Sequence, residues 1–376
     1  MAIFNIELAL IFNQRRKIFF VAFFLISRIC ILYSVFYIKV SILNARFLIV
    51  KLLFILSITL LVFGKRIILI FIGWDGLGIS SFCLVLFFLN LKSQNNGVVV
   101  ILTNRIGDAL FIFLILNFLL LKANSIKSSN LTLFLVFVFS VLILTKRAQF
   151  PFSTWLPLAI AAPTPISALV HSSTLVAAGI YLFIDNLLFF NSKIRLLMIF
   201  ILSCSTLLIR GINSLVEIDM KKIIALSTLN QISFMFLTCG FGLPILRFFH
   251  LITHAIFKSL LFINGGVVIH YWLNSQESRT YNSRINFSWF LVFSFIISLI
   301  NLMGIIFLCG FFSKDIILER FNQNWSIIIF FIFRRLFLFT FFYCIRLFKI
   351  CFLSFSLKGN IIFKFKKSRF YIPIFI

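Results

Sequence analysis

Carboxylates are scarce in this chain. Of its 376 residues only nine are Asp or Glu, against 35 Lys and Arg, for a formal net charge of +26. In a soluble protein that balance would point to nucleic acid. Here the basic residues fall mostly between apolar runs, as in Arg15-Arg16-Lys17, Lys221-Lys222 and Lys364 to Arg369. Loop cations so placed fix topology and meet anionic lipid, so no nucleic-acid partner is expected. C-x-x-C pairs are absent as well: the cysteines stand apart at 30, 83, 204, 239, 309, 344 and 351. Nothing therefore signals zinc, an iron–sulfur cluster or a disulfide framework. No phosphate-binding Gly loop follows a strand, and no haem ligand pair is evident, so no cofactor or metal is expected in this chain. Met1 to Phe12 lacks a basic n-region and a small-residue cleavage site, so no cleavable signal is expected.

What the chain has is apolar length. It is 62% hydrophobic, with a mean hydropathy of +1.15, whereas a soluble protein is about half apolar. Runs long enough to cross a bilayer recur along nearly the whole sequence, which predicts an all-α polytopic membrane protein. The runs are continuous rather than alternating, which argues against a β-barrel. Phe occurs 55 times, and Ile, Lys and Asn are frequent too; an A+T-rich coding sequence, as in an organellar genome, produces that bias.

The expected spans are Ile18 to Ile38, Phe47 to Phe63, Ile67 to Leu89, Val98 to Leu121, Leu131 to Thr145, Pro165 to Ile184, Ile194 to Ile209, Ile223 to Phe241, Ile245 to Tyr271, Phe287 to Phe311 and Trp325 to Phe348. Counting re-entrant pieces, this makes about 11 or 12 transmembrane helices. Residues 3–12 are apolar but too short to span. Loops are expected at Ser125 to Asn130, Asp185 to Arg195, Gly211 to Lys222 and Asn274 to Asn286.

The organising stretch is Lys146 to Thr174, K-R-A-Q-F-P-F-S-T-W-L-P-L-A-I-A-A-P-T-P-I-S-A-L-V-H-S-S-T, which holds four of the six prolines. They predict a broken helix with a re-entry near Phe152 to Ala162. Such breaks survive at membrane depth only where protein or water satisfies the freed backbone groups, and they mark ion pathways in transporters. A lysine there is costly in lipid and points to function, although a long side chain can also snorkel to the interface. A second weakened helix, at Met303-Gly304 and Cys309-Gly310, is followed by Lys314. Two broken helices, each with a lysine, fit inverted repeats. The expected division is 1–46 for N-terminal spans, 47–186 and 187–350 for the two five-helix repeats, and 351–376 for a basic tail.

Charges inside the spans are the candidate site. Asp75 lies within W-D-G-L-G; it sits at a helix end near water or pairs with a lysine on a neighbouring helix. Arg105 and Asp108 are three apart on one helix face and can pair, either to hold helices together or to act in coupling. His250, His254 and Lys258 follow at i, i+4 and i+8, one stripe of a helix. With no carboxylate or thiol to complete a metal site, and a lysine opposing a cation, a proton-conducting polar wire is the better reading of the three. His171 stands alone and is a proton carrier or a packing histidine. Lys314 and Asp315 are adjacent and point to different faces, as interior and outlet groups or as interface anchors.

These motifs resemble a known family, the antiporter-like chain 5 subunits of proton-pumping NADH:ubiquinone oxidoreductase, respiratory complex I. The matching runs are F-I-G-W-D-G-L-G-I-S-S-F-C-L-V (71–85), N-R-I-G-D (104–108), the Lys146 to Thr174 stretch, E-I-D-M-K-K-I-I-A-L-S-T-L-N-Q (217–231), H-L-I-T-H-A-I-F-K-S-L-L-F (250–262) and G-F-F-S-K-D-I-I-L-E (310–319). The resemblance covers roughly residues 30–350. It implies a multi-pass subunit of the mitochondrial inner membrane, in a hetero-oligomer with the neighbouring antiporter-like chain 4 and accessory subunits, and in contact with lipid such as cardiolipin. It implies that protons move through Asp75, Lys146, His171, His250, His254, Lys258, Lys314 and Asp315, that Arg105 and Asp108 form a coupling ion pair, and that redox chemistry lies in other chains. The departures are Arg147, where the family usually has a small residue, and Ser153 and Ala161, where many members carry His and Glu. The chain also looks short against the family, with the last spans and the long lateral helix expected to be missing. The alternatives are a cation/proton antiporter subunit with no redox partner, and a structural spacer that passes no protons.

Overall fold

The computed structural model describes residues 13–37, 42–65, 67–124, 129–160, 162–174, 179, 193–240, 244–272, 275–278, 287–305, 307–324 and 327–352. The expected loops at 125–128, 185–192 and 279–286, the apolar run 3–12 and most of the tail lie outside them, as do the side chains of His171, Arg334 and Arg335.

Helices make up almost everything described. In chain order they are α1 (Gln14–Tyr37), α2 (Ile42–Phe63), α3 (Ile67–Val85, closed by a 3-10 turn Leu86–Phe88), α4 (Leu91–Asn124), α5 (Ser129–Lys146), α6 (Trp155–Ala159), α7 (Thr164–Ile166, running into a π-helical turn Ser167–Thr174), α8 (Lys193–Val216), α9 (Met220–Gly240), α10 (Pro244–Tyr271), α11 (Trp289–Met303), α12 (Cys309–Asn324) and α13 (Ile327–Phe352). Outside the helices, Asp219 and Glu277 form an isolated β-bridge. The reason is the solvent: in hydrocarbon every backbone group must be bonded within the segment, which a helix does. Hydroxyls follow the same rule. Ser27, Ser57, Ser81, Ser203, Ser227 and Ser298 each donate to a carbonyl three residues back, so a polar side chain is satisfied inside its own helix.

Six helices are long and apolar enough to cross a membrane by length and composition: Gln14–Tyr37, Ala45–Phe63, Ile67–Phe88, Leu91–Asn117, Ile199–Val216 and Ile245–Tyr271. α10 is the most enclosed of them. It packs on α9, α11, α12, the π-helical turn and α1, and so forms the post of the bundle. α2 pairs with α3, α4 with α5, and α8 with α9 and α13. Outward positions are apolar too: Leu52, Leu53 and Leu56 on α2, Phe293 on α11 and Phe342 on α13 are exposed. That is the surface of a protein whose solvent is lipid.

Two expectations are corrected. The turn expected at Gly211 to Lys222 is mostly helix: α8 runs on to Val216, and Glu217 N–H still bonds Asn213 O at 3.1 Å. Polar residues there do not stop the helix because Ser214 bonds back to Gly211 and no proline intervenes. The span expected from Phe287 to Phe311 is two helices, α11 and α12, separated at residues 304–308. Gly304 takes a left-handed φ of 77° and closes α11 by donating to Ile300 O at 3.0 Å.

Candidate functional site

α5 ends in a way its sequence does not advertise. Ala148 adopts a left-handed φ of 51°. Gln149 N–H bonds Leu144 O at 3.2 Å and Ala148 N–H bonds Thr145 O at 3.4 Å, the two bonds of a Schellman close, here on alanine rather than glycine. The chain then passes a cis Phe150–Pro151 bond before α6. Trp155 Nε1 donates 2.8 Å back to Thr145 O, and Thr206 of α8 donates 2.7 Å to Gln149 Oε1. Backbone groups freed by the break thus find protein partners. A second interruption follows at Pro163, ahead of α7.

Lys146 is the last residue of α5 and is buried. Its Nζ lies 3.4 Å from Asp108 Oδ1 on α4, 3.5 Å from the Trp74 carbonyl and 5.2 Å from the centre of a Trp74 ring on α3. Gly78 leaves the space: a Cβ there would stand 3.0 Å from Nζ. Asp108 is itself buried and lies 3.8 Å from Arg105. The carboxylate of Asp75, half-buried on α3, accepts from Arg105 Nη1 at 3.1 Å. The structure therefore joins Asp75 to the lysine only through Arg105 and Asp108, and the direct carboxylate partner of Lys146 is Asp108. Arg105 is half exposed, so this series of charges runs from the outer face of α4 to the interior.

The second group lies on α10. His250, His254 and Lys258 are all buried on one stripe, as their spacing predicts. Ser313 Oγ lies 2.8 Å from His250 Nδ1, and Gln231 Oε1 lies 3.3 Å from Nε2. The His254 ring centre is 6.3 Å from that of His250, and its Nε2 has no hydrogen-bond partner among the described residues. Lys258 donates to Ser227 Oγ and, at 3.5 Å, to Ile224 O on α9; it also lies 6.0 Å over the ring of Tyr343 on α13. Lys314 of α12 is buried, donates to Leu302 O across the second break, and is near enough to act electrostatically on His250, His254 and Lys258. Asp315 faces outward, away from Lys314.

Sequence reasoning passed over Gln231, Ser227, Ser313 and Asn104 because they carry no charge. Asn104 is buried one position from Arg105, and among the described residues both its side-chain polar atoms lack partners. The available signal was polar side chains inside apolar runs.

Helices broken at two places, each break beside a buried lysine, with a His-His-Lys stripe on the central helix, define an antiporter-like membrane fold. Solved structures share it. The Mrp complex from Dietzia sp. DQ12-45-1b superposes with a TM-score of 0.83 at 21% identity, over 97% of this chain and 42% of that chain. The membrane-bound sulfane sulfur reductase, an archaeal respiratory membrane complex, gives 0.82 at 19% identity, over 98% and 79%. The chain belongs to the family described as NADH:quinone oxidoreductase/Mrp antiporter, transmembrane, which it matches over residues 64–340. It is 42% identical over 304 residues to NADH-ubiquinone oxidoreductase chain 5 of Locusta migratoria, covering 77% of this chain and 52% of that one. The chain 5 protein of Anopheles arabiensis is 40% identical, over 84% of each. The chain thus spans about half the length of several curated relatives it matches.

Proposed function

We propose that this chain is a proton-translocating membrane-arm subunit of mitochondrial NADH:ubiquinone oxidoreductase, complex I, in the inner membrane. The observation that carries this reading is the buried Lys146–Asp108 pair at the end of a broken helix, 3.4 Å apart. A buried ion pair is a poor way to gain stability, and inside a membrane it marks a working site. Its role is to hold a proton on Lys146 and release it when the charges around Asp108 rearrange. Arg105 and Asp75 are the lever: Arg105, paired with Asp75, reaches the Asp108 carboxylate from the outward side, so a charge change arriving from a neighbouring subunit alters Asp108 first.

From Lys146 the proton passes by way of His171 to the stripe on α10. His250, its ring oriented by Gln231 Oε1, exchanges protons through the Ser313 hydroxyl, and water beside His254 Nε2 bridges the rest. Lys258 and Lys314 are the receiving amines, and Asp315 on the outer face is the outlet. The chain itself binds neither NADH nor ubiquinone and carries no cofactor; electron transfer elsewhere drives it as coupling at a distance. Its partners are the adjoining chain 4, accessory subunits and membrane lipid, cardiolipin included. The chain 5 relatives favour this over a free-standing antiporter subunit, the second reading, which the shared fold with the Mrp complex supports.

Native electrophoresis of detergent-solubilised membranes, with an in-gel NADH stain, tests the assignment. Peptides of this chain should migrate with the NADH-oxidising band. Migration away from all redox activity overturns it in favour of the antiporter. Replacing Lys146 with Met in the assembled complex should lower protons moved per NADH oxidised; an unchanged ratio leaves only a spacer.

A further inference from the structure

Arg147 follows Lys146, yet the two side chains serve different parts of the bundle. Successive residues at a helix end diverge by about 100°, so neighbours in sequence reach different helices. Lys146 goes to α3 and α4. Arg147, fully buried, lays its guanidinium carbon 3.8 Å from the centre of the Phe236 ring on α9. Its Nη2 donates to the carbonyl of Gly179, in the segment that follows the π-helical turn. Gly179 is shaped to it: a Cβ there would stand 3.2 Å from Arg147 Nε and 3.3 Å from its Cγ. α9 also carries Gln231, which bonds His250, and Phe234, whose ring meets the His250 imidazole edge-on at 5.3 Å.

We propose that Arg147 is a positioning residue, a fixed pivot that ties the break beside Lys146 to α9 and so to the His250 region. The proposal rests on the reading of Lys146 as a proton carrier. A guanidinium stays charged at any working pH and offers a planar face and fork that an ammonium lacks. The anchor therefore does not titrate while its neighbour does. With the backbone at 147 held to Phe236 and Gly179, a change in the Lys146–Asp108 pair moves the ammonium instead of relaxing the whole break. Without the pivot the break follows the lysine, and the α4 side decouples from α9.

The test measures protons moved per NADH oxidised in membranes that carry the assembled complex, with assembly followed separately by native electrophoresis. Arg147→Gln, which loses charge and fork, should give a roughly twofold or larger fall in the ratio, and Phe236→Leu, which keeps the arginine and apolar volume but removes the ring, a smaller one. Arg147→Lys, with charge but no fork or planar face, should rescue only part of the loss. Gly179→Ala, which crowds the arginine, should lower the ratio and add nothing to Arg147→Gln. A residue that merely supports folding would change the amount of complex and leave the ratio alone. If Arg147→Gln does not assemble, Phe236→Leu decides, and its wild-type ratio overturns the pivot. Lys146→Met in parallel separates the two ideas. A fall there with an unchanged ratio in Arg147→Gln overturns the pivot alone, whereas an unchanged ratio in Lys146→Met overturns the proton-carrier reading and the pivot with it.

Discussion

Lys51 shows how much a single side chain depends on its surroundings. It sits in the middle of α2, almost fully buried, with no hydrogen-bond partner for its Nζ among the described residues and the Phe47 ring 4.0 Å away. Lys146 is as deeply buried but has Asp108, the Trp74 carbonyl and the Trp74 ring. The two lysines look alike inside apolar runs, and nothing in local sequence tells the partnered one from the other. A buried amine without a carboxylate is costly, while an apolar group of similar volume is not. Lys51→Met should accordingly stabilise the protein by about 1–3 kcal/mol. Thermal unfolding of the purified protein in detergent reads this as a rise in Tm, and a fall would mean that the amine has a stabilising partner.

Elements are decided at their breaks. Four prolines announced the first break, and it lies where they stand, but its close on Ala148 and its ties to Trp155 and Gln149 are tertiary facts. The second break was legible only as weakness in one long span. The structure separates α11 from α12 there because Gly304 reverses the backbone and Gly310 lies against Asn301: a Cβ at 310 would fall 1.9 Å from the Asn301 carbonyl oxygen. Nothing but glycine fits without parting the two half-helices. Gly310→Ala should destabilise by about 3 kcal/mol and pull Lys314 off the Leu302 carbonyl. A lowered Tm in detergent, together with a loss of proton translocation, is the expected result. An unchanged Tm would show that the half-helices are not packed this closely.

At the scale of the whole molecule, the interior and the exterior are both apolar, so hydrophobicity does not say which face is which. Helices are held by close packing and by polar contacts, with α10 at the centre and lipid-facing leucines such as Leu53 outside. Leu53→Arg should oppose membrane insertion of α2 by about 3 kcal/mol. A glycosylation-mapping insertion assay on the segment checks it, and full insertion would place Leu53 against protein instead of lipid.

Composition and run length by themselves determined the all-α membrane class, most helix positions and the existence of a break at Lys146, because a 30-Å hydrocarbon layer of roughly that thickness admits few other solutions. The spacing of His250, His254 and Lys258 settled that they share a stripe, since helical periodicity is local. Partner choice was different. The sequence paired Asp75 with a lysine and Asp108 with Arg105, and only the packing of α3, α4 and α5 set Asp108 beside Lys146 and brought Arg105 to Asp75. The same holds for the anchoring of Arg147 on Phe236, which lies on a helix far along the chain. A charge pair inside a membrane depends on a few ångströms between different helices, and that distance is a property of the assembled bundle rather than of any one segment.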